Sequence, residues 1–394
     1  MQDRKIISMA KMAEQSTEAI AFVWDNFGPM HVDRCEAVAS HSLIMRPIVG
    51  IELFSDSSEY DWRPETGTKF TKTTLYDKSR SRRPSTVAVA WRLVSACINA
   101  RAKDVFVCNY DRRYIFIAAV LLRLSGRRVY VMGCSKFDDV KRRVLKEFIK
   151  SFFLLPYRGA IASGVRSRDY FRFLGIAQER IVAEYNTLST ERIRMDSGVD
   201  PAPNGSTFEE RHFTIVARFV EKKNLIMAIR AYQMYRENTA RPRRLHLCGA
   251  GPLEADLRAL VKDLALQDDV IFLGFLQTAD VARQLGNTLA LILPSIEEQF
   301  GNVVIEAQAV GLPVLLSDNC GARDKLIRSG VNGFVIEPDN PEGLSVFMKM
   351  LSDDQKLWAS MATAALGSAA NGDVRCFADG VQKLISRNAA SARD

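Results

Sequence analysis

The sequence offers little that would make a disulfide framework, a zinc site or a membrane span. Its seven cysteines are scattered, with no Cys-x-x-Cys pair and no zinc-ligand spacing, so a reduced cytoplasmic compartment is expected. The longest uncharged apolar run, 114–122, is under half of the about 20 residues that cross a bilayer. The opening "MQDRKIISMAKMAEQSTEA" has no continuous apolar core, so no signal peptide is expected. Zinc-finger spacing, an "RGFGFV"-like segment and a basic low-complexity tail are absent too, so nucleic acid is not an expected partner. What remains is 394 residues, 47% hydrophobic and 25% charged, which suits a soluble chain of two domains. The net charge of +8 suits an anionic partner, whether an acidic lipid surface or a phosphorylated substrate.

Short apolar runs alternate with helical periodicity along the chain. In the second half, strands are expected over 211–219, 243–251, 269–275, 289–294, 312–318 and 332–338, with helices over 224–235, 279–285 and 302–309 among those between them. In the first half, strands are expected over 19–25, 103–109, 127–133 and 159–164, with helices over 114–124 and 139–153. Residues 51–86, rich in Ser, Thr and charge, read as loops or an irregular insertion. The alternation gives an α/β class with two doubly wound, parallel-sheet domains facing across a cleft. "DSGVDPAPNGS" (196–206) reads as the linker. The expected division is 1–200, 206–370 and a C-terminal helix over 371–394 that packs back on the first domain. Ligands in such sheets bind beyond the C-terminal strand ends.

One stretch at such a strand end carries most of the chemistry. "EEQFGNVVIEA" (297–307) sets Glu298 and Glu306 eight positions apart around Gly301. Gly301 lets backbone approach a ligand closely. The amides of Gly301, Asn302 and Val303 open a helix and suit a diphosphate. A carboxylate accepts two hydroxyl hydrogen bonds at once, which matches a ribose or hexose diol. Taken alone, the two glutamates are also ordinary helix residues complementing the dipole. Elsewhere, "VARFVEKKNL" puts Arg218 just past a strand and Lys223 at the next helix entry, a pair of cations able to clamp a diphosphate. "CGAGPL" supplies Gly249 and Gly251 in a further strand-to-helix turn.

The order "ARFVEKKN", "LCGAGPL", "VIFLGF", "PSIEEQFGNVVIEAQAVGLPVLLSD" and "GVNGFVIEP" resembles the C-terminal half of glycosyltransferase family 4, over about 211–345. The resemblance implies a retaining enzyme of the GT-B fold. It places Arg218 and Lys223 on the donor diphosphate, Glu306 on the ribose and Glu298 by the donor sugar. It puts Gly301, Asn302 and Val303 on the phosphates, and Phe275 in the base pocket. Asn224 and Asn302 depart from the family, which more often has Gly and an apolar residue there. In the first half the likeness is looser. "DNFGPMHVDRCEAVA" puts Gly28 and His31 where family members carry a glycine-bearing donor loop. His31 either faces the reaction centre or caps its helix. Asp138 or Asp139, in "CSKFDD", either helps hold the acceptor or caps the following helix.

No Asp-x-Asp pair occurs. The expectation is therefore no metal, and no cofactor beyond the sugar nucleotide. The implied activity moves a hexose from a UDP- or GDP-sugar to a hydroxyl acceptor in exopolysaccharide or lipopolysaccharide assembly, the acceptor being a glycan on a polyprenyl diphosphate. Two other readings stay open, a nucleotide-sugar 2-epimerase and a non-catalytic scaffold subunit. Finally, 138–155 reads as an amphipathic helix, with Val140, Val144, Leu145, Phe148, Ile149 and Phe152 on one side and Arg142, Arg143, Lys146 and Lys150 on the other. Its basic side is either solvated or lies on the inner leaflet, joined there by Arg80, Arg82, Arg83, Arg127 and Arg128.

Overall fold

The computed structural model describes residues 18–55, 67–77, 84–139 and 141–390. They form two units, one taking the chain up to Thr187 and again from Val374, the other being Leu188–Asp373.

The first unit is built on seven strands: β1 (Ala19–Trp24), β2 (Ile48–Phe54), β3 (Thr71–Tyr76), β4 (Ala102–Val107), β5 (Arg128–Gly133), β6 (Ala160–Ala162) and β7 (Ile181–Val182). All pair in parallel, in the order β3-β2-β1-β4-β5-β6-β7. Every residue of β1 is buried, because both faces of a parallel sheet are covered. Alternation sorts its side chains. Ala21 and Val23 face a core with Ile51, Leu53, Val105 and Val131. Ile20, Phe22 and Trp24 face the other core, where Phe377, Val381 and Leu384 of the C-terminal helix (Val374–Ala390) close the layer. That helix therefore packs within the first unit.

The second unit has six parallel strands: β8 (His212–Val216), β9 (Leu245–Cys248), β10 (Val270–Gly274), β11 (Thr288–Leu293), β12 (Val314–Ser317) and β13 (Gly333–Ile336). Their order is β10-β9-β8-β11-β12-β13. The chain enters this unit ahead of the 196–206 stretch. Helix Thr190–Ser197 packs on helices Thr278–Gly286 and Val303–Ala309, so the Pro- and Gly-rich residues after it belong to the unit's surface rather than to a linker.

Three expectations are corrected. The 51–86 stretch is not wholly irregular. β3 crosses it as an edge strand, and its exposed Thr71, Thr73 and Thr74 explain why no apolar run announced it. Arg80, Arg82 and Arg83 lie outside the described residues. The helix expected over 139–153 is instead a short turn at Phe137–Asp139 and a helix at Val144–Leu154. The sides of that helix are also reversed from those of a domain helix with a buried apolar stripe. Val144, Leu145, Phe148, Ile149 and Phe152 are exposed, while Glu147 is buried. Val140 lies outside the described residues.

Candidate active site

In parallel sheets, ligands bind where the strand order reverses. In the second unit the reversal falls between β8 and β11, since β9 and β10 extend from one and β12 and β13 from the other. The motifs converge on that point. Arg218 and Lys223 follow β8, and Glu298 and Gly301 follow β11. Lys223 and Glu298 meet directly as an ion pair, with side chains 14% and 15% exposed. Ser295 Oγ, fully buried, lies 3.4 Å from the same Glu298 oxygen.

Backbone bonds hold the two loops together. The Ile296 amide donates to the Lys222 carbonyl (2.9 Å). Asn224 sits in the left-handed region at φ 58°, and its Nδ2 donates to the carbonyls of Pro294 (3.1 Å) and Pro338 (2.6 Å). This accounts for the departure from glycine seen in the sequence. Asn tolerates that conformation better than most residues and adds two bonds that glycine lacks. On the far side of Glu298, the Gly321 amide donates to the Glu298 carbonyl (3.2 Å), and Cys320 Sγ reaches the Phe300 carbonyl at 2.7 Å.

Glu306 lies in the first turn of Val303–Ala309, a half-buried position. The first backbone bonds of that turn run from Val304 to Gly301 (3.1 Å) and from Ile305 to Asn302 (2.9 Å). The amides of Gly301, Asn302 and Val303 thus precede the helical ladder. Gly301 has φ 95°, and an added Cβ would lie 2.9 Å from Leu293 and 3.0 Å from Cys320 Sγ. Phe275, just beyond β10, is half exposed.

Gly249 and Gly251 do something the motif did not reveal. At φ 148°, a Cβ on Gly249 would fall 1.8 Å from the Ala217 carbonyl oxygen, and one on Gly251 would fall 2.5 Å from that of Phe219. Their absent side chains let the β9 loop lie flat against the Arg218 loop, to which it bonds through the Phe219 amide and the Ala250 carbonyl (2.9 Å). The glycines position Arg218's backbone.

In the first unit the reversal lies between β1 and β4. Gly28 caps the helix Pro29–Ala39, and its amide donates to Nδ1 of His31 (2.9 Å). The His31 ring is buried, 4.6 Å from the Trp24 ring, and burial holds it neutral. The structure thus builds His31 as a cap. Asp138 is ion-paired to Lys136 (2.8 Å) and Arg166 (2.9 Å). Of the two aspartates it is Asp139 whose carboxylate accepts a backbone bond in the local turn, from the Lys136 amide (2.8 Å). Sequence reasoning missed Asp25, beyond β1. Its carboxylate accepts from Asn109 (2.7 Å) and Tyr114 (3.4 Å), both carried by the chain beyond β4. Burial raises the Asp25 pKa. Only the position of Asp25 at the end of "AIAFVWD" could have signalled it.

The model for the family "Glycosyl transferases group 1" matches residues 199–366. The amylovoran biosynthesis glycosyltransferase AmsK of Erwinia amylovora is 31% identical over 67% of this chain and 65% of its own length. A Campylobacter jejuni enzyme, N-acetylgalactosamine-N,N'-diacetylbacillosaminyl-diphospho-undecaprenol 4-alpha-N-acetylgalactosaminyltransferase, is 26% identical over 48% of this chain and 49% of its own. The chain thus spans about half of one relative and under two thirds of the other. Among solved structures, Anabaena Alr3699/HepE in complex with UDP superposes with a TM-score of 0.70 over 94% of this chain and all of its own, at 15% identity. That likeness is one of fold, the GT-B fold. The segment 199–366, which lies within the second unit, is thus similar to the group 1 glycosyl transferases.

Proposed function

We propose that the protein is a retaining glycosyltransferase, moving a hexose from a UDP- or GDP-sugar to a hydroxyl of a lipid-linked glycan during surface polysaccharide assembly. The observation that carries this reading is the Lys223–Glu298 ion pair at the β8/β11 reversal, with Arg218 just beyond β8 and Glu306 in the helix that follows β11. In the resting protein the pair neutralises itself. A donor diphosphate would draw Lys223 to phosphate oxygen and release Glu298 toward the sugar hydroxyls, while Glu306 takes the ribose diol. Arg218, Lys223 and the amides of 301–303 would then meet the charge that grows on the leaving diphosphate, so the reading calls for no metal. The donor C1–O bond breaks, the acceptor oxygen bonds C1 on the same face, and its proton passes to the departing phosphate oxygen.

The acceptor class draws support from the relatives, one named for a diphospho-undecaprenol-linked substrate and another for amylovoran biosynthesis. A lipid-linked acceptor suits a cytoplasmic protein held peripherally at a membrane. Among the described residues no helix is long and apolar enough to cross one. Calorimetric titration with UDP and with GDP tests the donor site. Binding of one names the donor class, and a folded protein that binds neither overturns the reading. Turnover surviving Glu306→Ala in a folded enzyme would count equally against it.

A further inference from the structure

The helix Val144–Leu154 presents its apolar side outward. Val144, Leu145, Phe148, Ile149, Phe152 and the adjoining Leu155 are 49–86% exposed. A water-facing helix normally does the reverse, and a contiguous apolar patch marks a contact surface. The orientation is fixed by a polar cluster on the inner side. Glu147, buried, accepts from the Tyr170 hydroxyl and from Lys150 Nζ (3.1 Å). Arg142 Nη1 donates to the Tyr170 hydroxyl (2.9 Å), lies 3.5 Å from Glu147 and stacks its guanidinium 4.5 Å from the Tyr170 ring centre. Turning the apolar side inward would take Glu147 from Tyr170 and Arg142, so the exposed side is the built one.

The exposed charge of the segment 141–155 is of one sign. Lys141, Arg143 and Lys146 are exposed beside the patch, and the only carboxylate in 141–155 is the buried Glu147. We infer that this helix is an interfacial anchor that lays its apolar side into an anionic lipid bilayer, with those three cations at the headgroups. Apolar burial supplies the binding and the cations supply preference for anionic lipid. This deepens the membrane-side reading of the proposed function and differs from the arrangement expected from the sequence. Two of the four cations placed there on the basic side, Arg142 and Lys150, are committed to Glu147 and Tyr170.

The test uses the full chain, sedimented with phosphatidylcholine vesicles with or without phosphatidylglycerol, at low and at physiological salt. Wild type should pellet with the anionic vesicles and weaken with salt. Leu145→Ser/Phe148→Ser/Phe152→Ser, at exposed positions, should lose about tenfold or more of that binding. Lys141→Gln/Arg143→Gln/Lys146→Gln should lose the preference for phosphatidylglycerol. In Phe148→Trp, the indole emission should shift to the blue on adding anionic vesicles. Wild type that stays in the supernatant at low salt overturns the inference, as does a serine triple variant that binds like wild type. Dimers without vesicles that the serine triple dissociates would also overturn it, making the patch a contact between copies. Calorimetry of the serine triple with UDP and GDP should match wild type, so a failed donor site and a failed anchor give different results.

Discussion

Asn224 is the sharpest place to perturb the donor-side architecture, because its backbone and its side chain contribute separately. Its φ of 58° costs an L-residue without the Asn side chain about 1–2 kcal/mol. Its two Nδ2–H bonds, to the Pro294 and Pro338 carbonyls, contribute about 0.5–1.5 kcal/mol each. Asn224→Ala loses both contributions, about 2–5 kcal/mol in all. Asn224→Gly relieves the backbone but loses the bonds and loosens the unfolded chain, which should leave it about 1 kcal/mol more stable than the Ala variant. Asn224→Asp keeps a side chain that tolerates the left-handed region, yet it cannot donate to either carbonyl, so it should lose about 1–3 kcal/mol, less than the Ala variant. Urea denaturation at neutral pH gives the three values, with unchanged slopes confirming that only stability moved. An Asp variant as stable as wild type would refute the hydrogen-bond argument. A Gly variant no better than the Ala variant would refute the backbone argument. The turn also ties Lys222 to Ile296, so Asn224→Ala should weaken UDP or GDP binding even where the protein stays folded.

Further predictions concern charge, the first core and acid. On the proposed function Lys223→Ala removes a charged donor to the diphosphate worth about 1.5–3 kcal/mol, so nucleotide Kd should rise about 10- to 100-fold by calorimetry, and an unchanged Kd would remove Lys223 from the donor site. Phe377→Ala, at a fully buried position 5.6 Å from the Phe22 ring, should cost about 3–5 kcal/mol in urea; a loss under about 1 kcal/mol would mean that the C-terminal helix does not close the first unit's core. The third prediction rests on the His212 and His246 rings, stacked at 3.7 Å with the Gln284 amide nitrogen against one nitrogen of each. Burial, then the neighbouring His246 and Arg211, lowers His212 to about 3, and burial lowers His246 and His31 as well. The unfolded chain therefore takes up more protons than the native one below about pH 6.5, so stability is full above that pH and falls toward pH 3, by up to about 1.4 kcal/mol per pH unit for each such histidine. Urea midpoints compared at pH 7.5 and 5 should show the fall and His212→Gln should reduce it, whereas equal midpoints would contradict the neutral pair.

What the sequence disclosed depended on how local the cause was. β11 was legible because "LALILP" is a buried parallel strand whose two covered faces demand an unbroken apolar run. β3 was not, because "TKTTLY" forms an edge with most of its residues at the surface, and its place depends on β2 beside it. Glu298 and Lys223 were each legible because each follows a recognisable strand, but their ion pair was not, since it arises only when parallel topology brings the ends of β8 and β11 together. The work of Gly249 was hidden, since the atom that forbids a side chain there is the Ala217 carbonyl, some thirty residues earlier in the chain.

The 144–154 helix shows where periodicity stops informing. A 3.6-residue pattern separates two sides correctly but is symmetric as to which side faces the protein. Hydrophobicity alone would bury Phe148 and Phe152. The choice is made by Tyr170, distant in sequence, whose hydroxyl gives Glu147 a partner inside the fold. A buried carboxylate with Arg142, Lys150 and Tyr170 around it is a satisfied group, whereas the same carboxylate turned out to water would leave the buried Tyr170 without that acceptor. The polar cluster therefore sets the helix's rotation, and the exposed apolar side follows from it.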